Sequence, residues 1–153
     1  MSRIQDRPHR SYFSTVMSCR CPRCREGKLF KYPLTLRFKR NMDMHEACPV
    51  CRQITDIEVG FYYGTGYVSY VIALLITIIY FLVWLLTIGF SFRDNRFLIW
   101  IISNSLMLVA LQPWLMRFSR VLWLSWFVKY DPDWEHHAPE DPERIVKEQM
   151  NNW

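Results

Sequence analysis

The 153 residues of this chain contain no P-loop, no glycine-rich dinucleotide fingerprint and no recognisable nucleophile–base arrangement. Catalysis has no recognisable groups to stand on, and the expectation is a protein that is not an enzyme. Residues 1–18 lack an apolar core and a small-residue cleavage site, so no secretory signal is expected there. Charge is missing from residues 68–90, a run of 23 residues, and from residues 97–116. Neither run holds a carboxylate, Lys or His, so an ion path through them is excluded. An even cysteine count is also absent. Five cysteines, four of them in C-x-x-C pairs, argue against a secreted disulfide framework and for a reducing compartment.

What is present is unevenly placed. Residues 1–60 hold twelve Lys/Arg against six Asp/Glu, whereas residues 129–153 hold three against seven. A basic head and an acidic tail imply different neighbours, with anionic lipid headgroups the nearest candidate for the basic half. Aromatic residues make up 16% of the chain.

A run of 23 uncharged residues crosses a hydrocarbon core of about 30 Å at about 1.5 Å rise per residue, and residues 97–116 provide a second crossing. The polar segment between them, which includes Arg93, Asp94 and Arg96, is too short for a domain. The two spans therefore form an antiparallel hairpin with both termini on one side. Lys and Arg before the first span and after the second far outnumber the two in the turn, which places both termini in the cytoplasm of a bacterial inner membrane.

Residues 19–60 form the expected cysteine module. Cys21-Pro-Arg-Cys24 and Cys48-Pro-Val-Cys51 are two knuckles, each aiming a pair of thiolates at one point. Together they complete a tetrahedron around Zn²⁺, with iron in a rubredoxin-type site the minor alternative. Four thiolates leave no open position, so the role is structural, and metal binding supplies folding free energy that so small a module lacks. Alternation of Leu34, Leu36 and Phe38 with Thr35, Arg37 and Lys39 predicts a half-buried strand, and Ile57 and Val59 predict a shorter one. The fold expected is thus a small zinc ribbon with short β strands, followed by an α-helical transmembrane hairpin and an interfacial helix. Cys19 reads as a spare thiol and His45 as a solvated loop residue. His136 and His137 read as part of a solvated acidic tail.

The hairpin is expected to be flanked by interfacial elements. Phe61, Tyr62, Tyr63 and Tyr67 read as anchors at the membrane surface, with Gly60, Gly64 and Gly66 turning the chain. Pro113 is expected to bend the second span into an in-plane helix over residues 117–130, although a single long helix is the alternative. Trp114 and Trp123 would sit at headgroup level, and Arg117 and Arg120 would snorkel to it. Asn104, in mid-membrane, needs a polar partner, from the first span or from another membrane subunit. Residues 1–18 read as a mobile basic arm or a short amphipathic stretch. Residues 131–153 read as an acidic cytoplasmic tail with a short helix over 143–150.

Residues 19–130 resemble the bacterial domain-of-unknown-function family nine-eight-three. The resemblance is carried by Cys21-Pro-Arg-Cys-Arg-Glu-Gly-Lys-Leu-Phe30, a second Cys-Pro-x-Cys and an immediate pair of spans. Gly60-Phe-Tyr-Tyr-Gly-Thr-Gly-Tyr-Val-Ser-Tyr70 and Gln112-Pro-Trp-Leu-Met-Arg117 are similar to its Bacteroidota-type members. In part of that family the genes lie among those for haem–copper cytochrome oxidase and its assembly factors. The resemblance implies an accessory or assembly role in a larger membrane complex, such as that oxidase. The chain departs from the pattern at Arg25 and Arg52, where many members carry Gly after the knuckle. A different reading, a tethered ribbon binding nucleic acid or anionic lipid, draws on Arg37, Phe38, Lys39 and Arg40. The positive-inside rule accounts for the same charges, so nucleic acid is the weaker partner.

Overall fold

The computed structural model describes residues 10–58, 60–89, 91 and 94–139. Val59, Arg93, residues 1–9 and the expected helix over 143–150 lie outside the described residues. The elements are α1 (Tyr12–Met17), α2 (Phe38–Asn41), a 3₁₀ turn (Phe61–Gly64), α3 (Thr65–Thr87) and α4 (Arg96–Phe127).

Helices α3 and α4 are both long and apolar enough to cross a membrane. They pack against each other as a hairpin. Their contact includes polar pairs, Ser69 with Ser119 at 2.8 Å and Tyr80 with Ser103 at 2.9 Å. Arg96 closes the turn by donating to the Ile88 carbonyl at 2.8 Å. Asn104 is 9% exposed in α4, and its Oδ1 is buried without a hydrogen-bond partner.

The second helix does not break at Pro113. It runs unbroken for 32 residues, so residues 117–127 continue the helix and do not form a separate in-plane one. Proline inside a helix costs about 3 kcal/mol. Beyond it, however, Leu115, Val121 and Leu124 are fully buried, and each such side chain contributes roughly 1.5–3 kcal/mol. Burial outweighs the proline.

What buries Val121 and Leu124 is the cysteine module. Val16, Leu29, Phe30, Ile57 and Phe61 join Val121, Leu124, Val128 and the four paired cysteines in one core. The last turns of α4 are therefore the scaffold of the module. Helix α1 also lies on this end of α4, with Thr15 and Val16 buried and Tyr12 Oη bonded to Ser125 Oγ at 2.8 Å. Of the two readings for residues 1–18, residues 12–17 follow the short amphipathic stretch and not the mobile arm, because packing on α4 supplies the order.

The expected strands do not form among the described residues. In their place are three isolated antiparallel bridges, Arg20 with Lys28, Phe30 with Met44, and Ala47 with Ile54. Leu34 and Leu36 lie in an exposed loop, and Phe38 opens α2. The alternation was real, but α4 already covers the core side of the module, so no apolar face is left for a strand to fill.

Residues 60–67 also differ from a row of surface anchors. Gly60 has φ +82°, a left-handed conformation suited to glycine. A Cβ on Gly64 would overlap the Trp123 ring, so that glycine allows α4 to approach. Phe61 is buried against Trp123 and Phe127, whereas Tyr63 and Tyr67 are exposed.

Candidate metal centre

Each knuckle is built the same way. The Arg25 N–H donates to the Cys21 carbonyl at 2.8 Å, and the Arg52 N–H to the Cys48 carbonyl at 2.9 Å. Both loops close by a return bond, from Cys21 N–H to the Gly27 carbonyl and from Cys48 N–H to the Gln53 carbonyl. The turn needs a left-handed residue after its second cysteine, and Arg25 (φ 59°) and Arg52 (φ 58°) adopt that conformation.

The four sulfurs of Cys21, Cys24, Cys48 and Cys51 lie within 4.8 Å of one another, and all four residues are buried. All are free thiols. Cys21 Sγ is 3.6 Å from Cys51 Sγ, and Cys24 Sγ is 3.8 Å from Cys48 Sγ. A tetrahedral metal with bonds of about 2.3 Å to sulfur requires edges of about 3.8 Å between sulfurs. The donor set therefore fits a four-thiolate ion, and a disulfide at about 2.0 Å is far from this geometry.

Hydrogen bonding among the four thiols splits their shifts, with Cys24 and Cys48 held below the ordinary thiol range and Cys21 and Cys51 above it. Hydrogen bonds from its neighbours, Cys21 first, hold the Cys24 thiol well below its ordinary range, and the Gly27 N–H at 3.5 Å assists. Cys48 is drawn down to about 7, chiefly by Cys21. Gly27 is also sterically required, since a Cβ there would overlap Cys48 Sγ.

Cys19 stays outside the cluster. Burial pushes its thiol up to about 11, against the opposing pull of Arg117, which makes it a poor nucleophile. His45 is not a ligand, and its carbonyl accepts from the Thr55 hydroxyl. His137 is bonded to Asp131, with Nδ1 at 3.0 Å from Oδ2. Among the described residues the four paired cysteines are the cluster able to hold a metal.

Two buried arginines organise what surrounds the sulfurs. Arg23, the variable residue of the first knuckle, is 2% exposed. Its Nη2 donates to the His137 and Ala138 carbonyls at 3.0 and 2.8 Å and to Asp131 Oδ2 at 3.3 Å, while Nη1 reaches the Cys51 carbonyl at 3.5 Å. The start of the acidic tail is thus folded back onto the first knuckle, whose Arg23 also reaches the second.

Arg117 is the second, at 6% exposure. It donates from Nε to the Asn41 carbonyl at 2.9 Å and from Nη2 to the Tyr32 and Pro33 carbonyls, each at 3.0 Å. Its guanidinium also lies over the Phe30 ring. Asn41 returns the contact, with Nδ2 donating to the Pro113 carbonyl at 2.7 Å. Arg120 donates to the Met42 carbonyl at 2.9 Å and stacks on Tyr62.

These contacts correct the snorkelling expectation for Arg117 and Arg120. The module's carbonyls accept from both guanidinium groups, because the helix carrying them runs into the module, although Arg120 Nε is buried without a hydrogen-bond partner. Trp123 likewise packs on Phe61, and Trp114 stacks on Phe118 at 4.8 Å. Sequence reading missed Arg23 and Asn41. Their partners in α4 and in the tail lie 72 to 115 residues away, and no local pattern signals them.

Comparison with protein-family models, with curated proteins and with solved structures gives no match.

Proposed function

We propose that this chain is a non-enzymatic integral protein of a bacterial inner membrane, acting as an accessory or assembly subunit of a larger membrane complex. Helices α3 and α4 cross the bilayer, and both termini face the cytoplasm, on the side rich in Lys and Arg. The four thiolates hold one Zn²⁺ as a structural ion. Its chemistry, when bound, is confined to stabilising the fold, since no coordination position is left for a substrate.

The observation that carries this reading is the joint between Asn41, Pro113 and Arg117, which fixes the module onto the end of a spanning helix. A metal-stabilised head held at a set height on a hairpin presents a defined surface to neighbouring subunits. Arg23 and Arg117 are spent on carbonyls, and Cys19 is held protonated. A haem–copper oxidase is the partner that the resemblance at Cys21-Pro-Arg-Cys24 and its surroundings implies.

The test is purification of the full chain from its native membrane in mild detergent. The expected result is one zinc per chain and a stoichiometric multi-span membrane subunit comigrating with it. A chain that runs alone, in every mild detergent, overturns the subunit reading.

A further inference from the structure

The loop over residues 32–40 is the feature that the fold leaves unused. Leu34, Leu36 and Phe38 are 55, 78 and 60% exposed, next to exposed Arg37, Lys39 and Arg40 and with no acidic residue among them. Three large apolar side chains in water forfeit the free energy that burial would give them. A loop that merely connects two elements has no need of them.

Its position says what covers them. Both ends of the loop are tied to one turn of α4. The Tyr32 and Pro33 carbonyls accept from Arg117, and Asn41 at the other end binds both Arg117 and the Pro113 carbonyl. Helix α4 starts at Arg96. At about 1.5 Å per residue Pro113 lies roughly 26 Å and Arg117 roughly 32 Å further along the axis, against a hydrocarbon thickness of about 30 Å. The loop therefore leaves and rejoins the helix at the cytoplasmic boundary of the hydrocarbon layer.

We propose that residues 32–40 are a lipid-binding wedge: Leu34, Leu36 and Phe38 enter the cytoplasmic leaflet of the bilayer that the hairpin crosses, and Arg37, Lys39 and Arg40 bind anionic headgroups. The inference rests on the membrane-spanning reading of α3 and α4 given above. Each basic residue near an anionic surface is attracted to it, and the apolar residues contribute their burial. The wedge holds the metal-bearing head flat against the membrane, which sets the height and orientation at which a neighbouring subunit meets it.

The experiment uses full-length protein in vesicles of phosphatidylglycerol and phosphatidylethanolamine. The photo-crosslinking residue p-benzoylphenylalanine is placed singly at Leu36, at Leu86 on the lipid-facing side of α3, and at Val50 on the second knuckle. Phospholipid adducts at Leu36 and Leu86, several-fold more abundant than at Val50, are expected. In phosphatidylcholine vesicles, or with R37Q, K39Q and R40Q combined, the Leu36 adduct should fall several-fold while the Leu86 adduct holds. Lipid adducts at Leu86 with none at Leu36, or with equal yield at Val50, overturn the wedge and leave the hairpin standing. Absence of lipid adducts at Leu86 overturns the membrane reading itself, and the wedge with it. A Leu36 adduct to protein or nucleic acid in native membranes, without lipid, also overturns it.

Discussion

At the scale of single residues, the two knuckles show how a backbone requirement can be met at a cost. Arg25 and Arg52 both hold the left-handed conformation that a Cβ disfavours by roughly 1–2 kcal/mol. They are not equivalent. Arg25 donates to the Arg10 carbonyl at 2.7 Å and stacks 3.8 Å above the Tyr130 ring, whereas Arg52 is exposed. Arg52→Gly should therefore stabilise the metal-loaded protein by about 0.5–1 kcal/mol, read as a higher denaturation midpoint. Arg25→Gly should give no net stabilisation, because removing the hydrogen bond to Arg10 and the stacking on Tyr130 offsets the relief of backbone strain. Equal stabilisation by both would refute the difference drawn between them.

Asp131 is the other residue whose environment predicts a measurable response. Burial pushes its carboxyl up, but the His137 ring, the Asp133 N–H and Arg23 together outweigh this, and the group sits below the usual carboxylate range. A depressed pKa means that the stabilisation is complete above the unfolded carboxylate value and is lost as pH falls through the folded one. The fold-back of residues 131–138 onto Arg23 should thus persist at neutral pH. In Asp131→Asn it should already be loosened at pH 7, seen as faster backbone amide exchange in that segment. Unchanged exchange in the variant would show that the Arg23–carbonyl bonds hold the tail unaided.

Among the elements, α4 matters most, and it was only partly legible. The uncharged runs were enough to give two long helices, because hydropathy over some twenty residues is a strong local signal. The antiparallel pairing of α3 and α4 followed from the short turn. Three things were not legible. A proline and two arginines after an apolar run read equally well as a bend into the interface or as a helix entering a protein core. Only the carbonyls of residues 32, 33, 41 and 42, far away in sequence, decide between them. The alternation at Leu34, Leu36 and Phe38 has the strand period, yet period alone does not say whether a core face is free to receive it. Helix α1 carries too few residues to show a period at all.

The joint in α4 gives a test at this scale. Arg117→Met keeps much of the side-chain volume over Phe30 but leaves the buried Asn41 carbonyl and the part-buried Tyr32 and Pro33 carbonyls without this donor. A hydrogen bond to a charged donor contributes about 1.5–3 kcal/mol where it is buried, so a loss of about 2–3 kcal/mol is expected in detergent-solubilised protein. Arg117→Lys should recover only part of it, since one ammonium lacks the planar fork that reaches Asn41, Tyr32 and Pro33 together. A thermal midpoint within experimental error of the parent for Arg117→Met would mean that the module is not held through this residue.

For the molecule as a whole, a four-cysteine head able to hold a metal ion is joined to a helical hairpin through a helix common to both. The cysteine pattern was legible from spacing alone, because C-x-x-C pairs constrain their own geometry within four residues. The meaning of that pattern changed once the fold was seen. The metal would hold two knuckles, and the knuckles in turn clamp the end of α4 and, through Arg23, the start of the tail. Loss of the ion should therefore loosen the packing around Val121 and Leu124 as well as the knuckles, while the hairpin between Ser69 and Ser103 keeps its pairing.

Native mass spectrometry of the full chain, released from its own membrane in mild detergent, tests the central claim most directly. The predicted species carries one zinc per chain and is bound to a larger integral-membrane subunit in fixed ratio. A bare chain without metal and without a partner would contradict the claim, and a chain carrying iron would contradict the assignment of zinc.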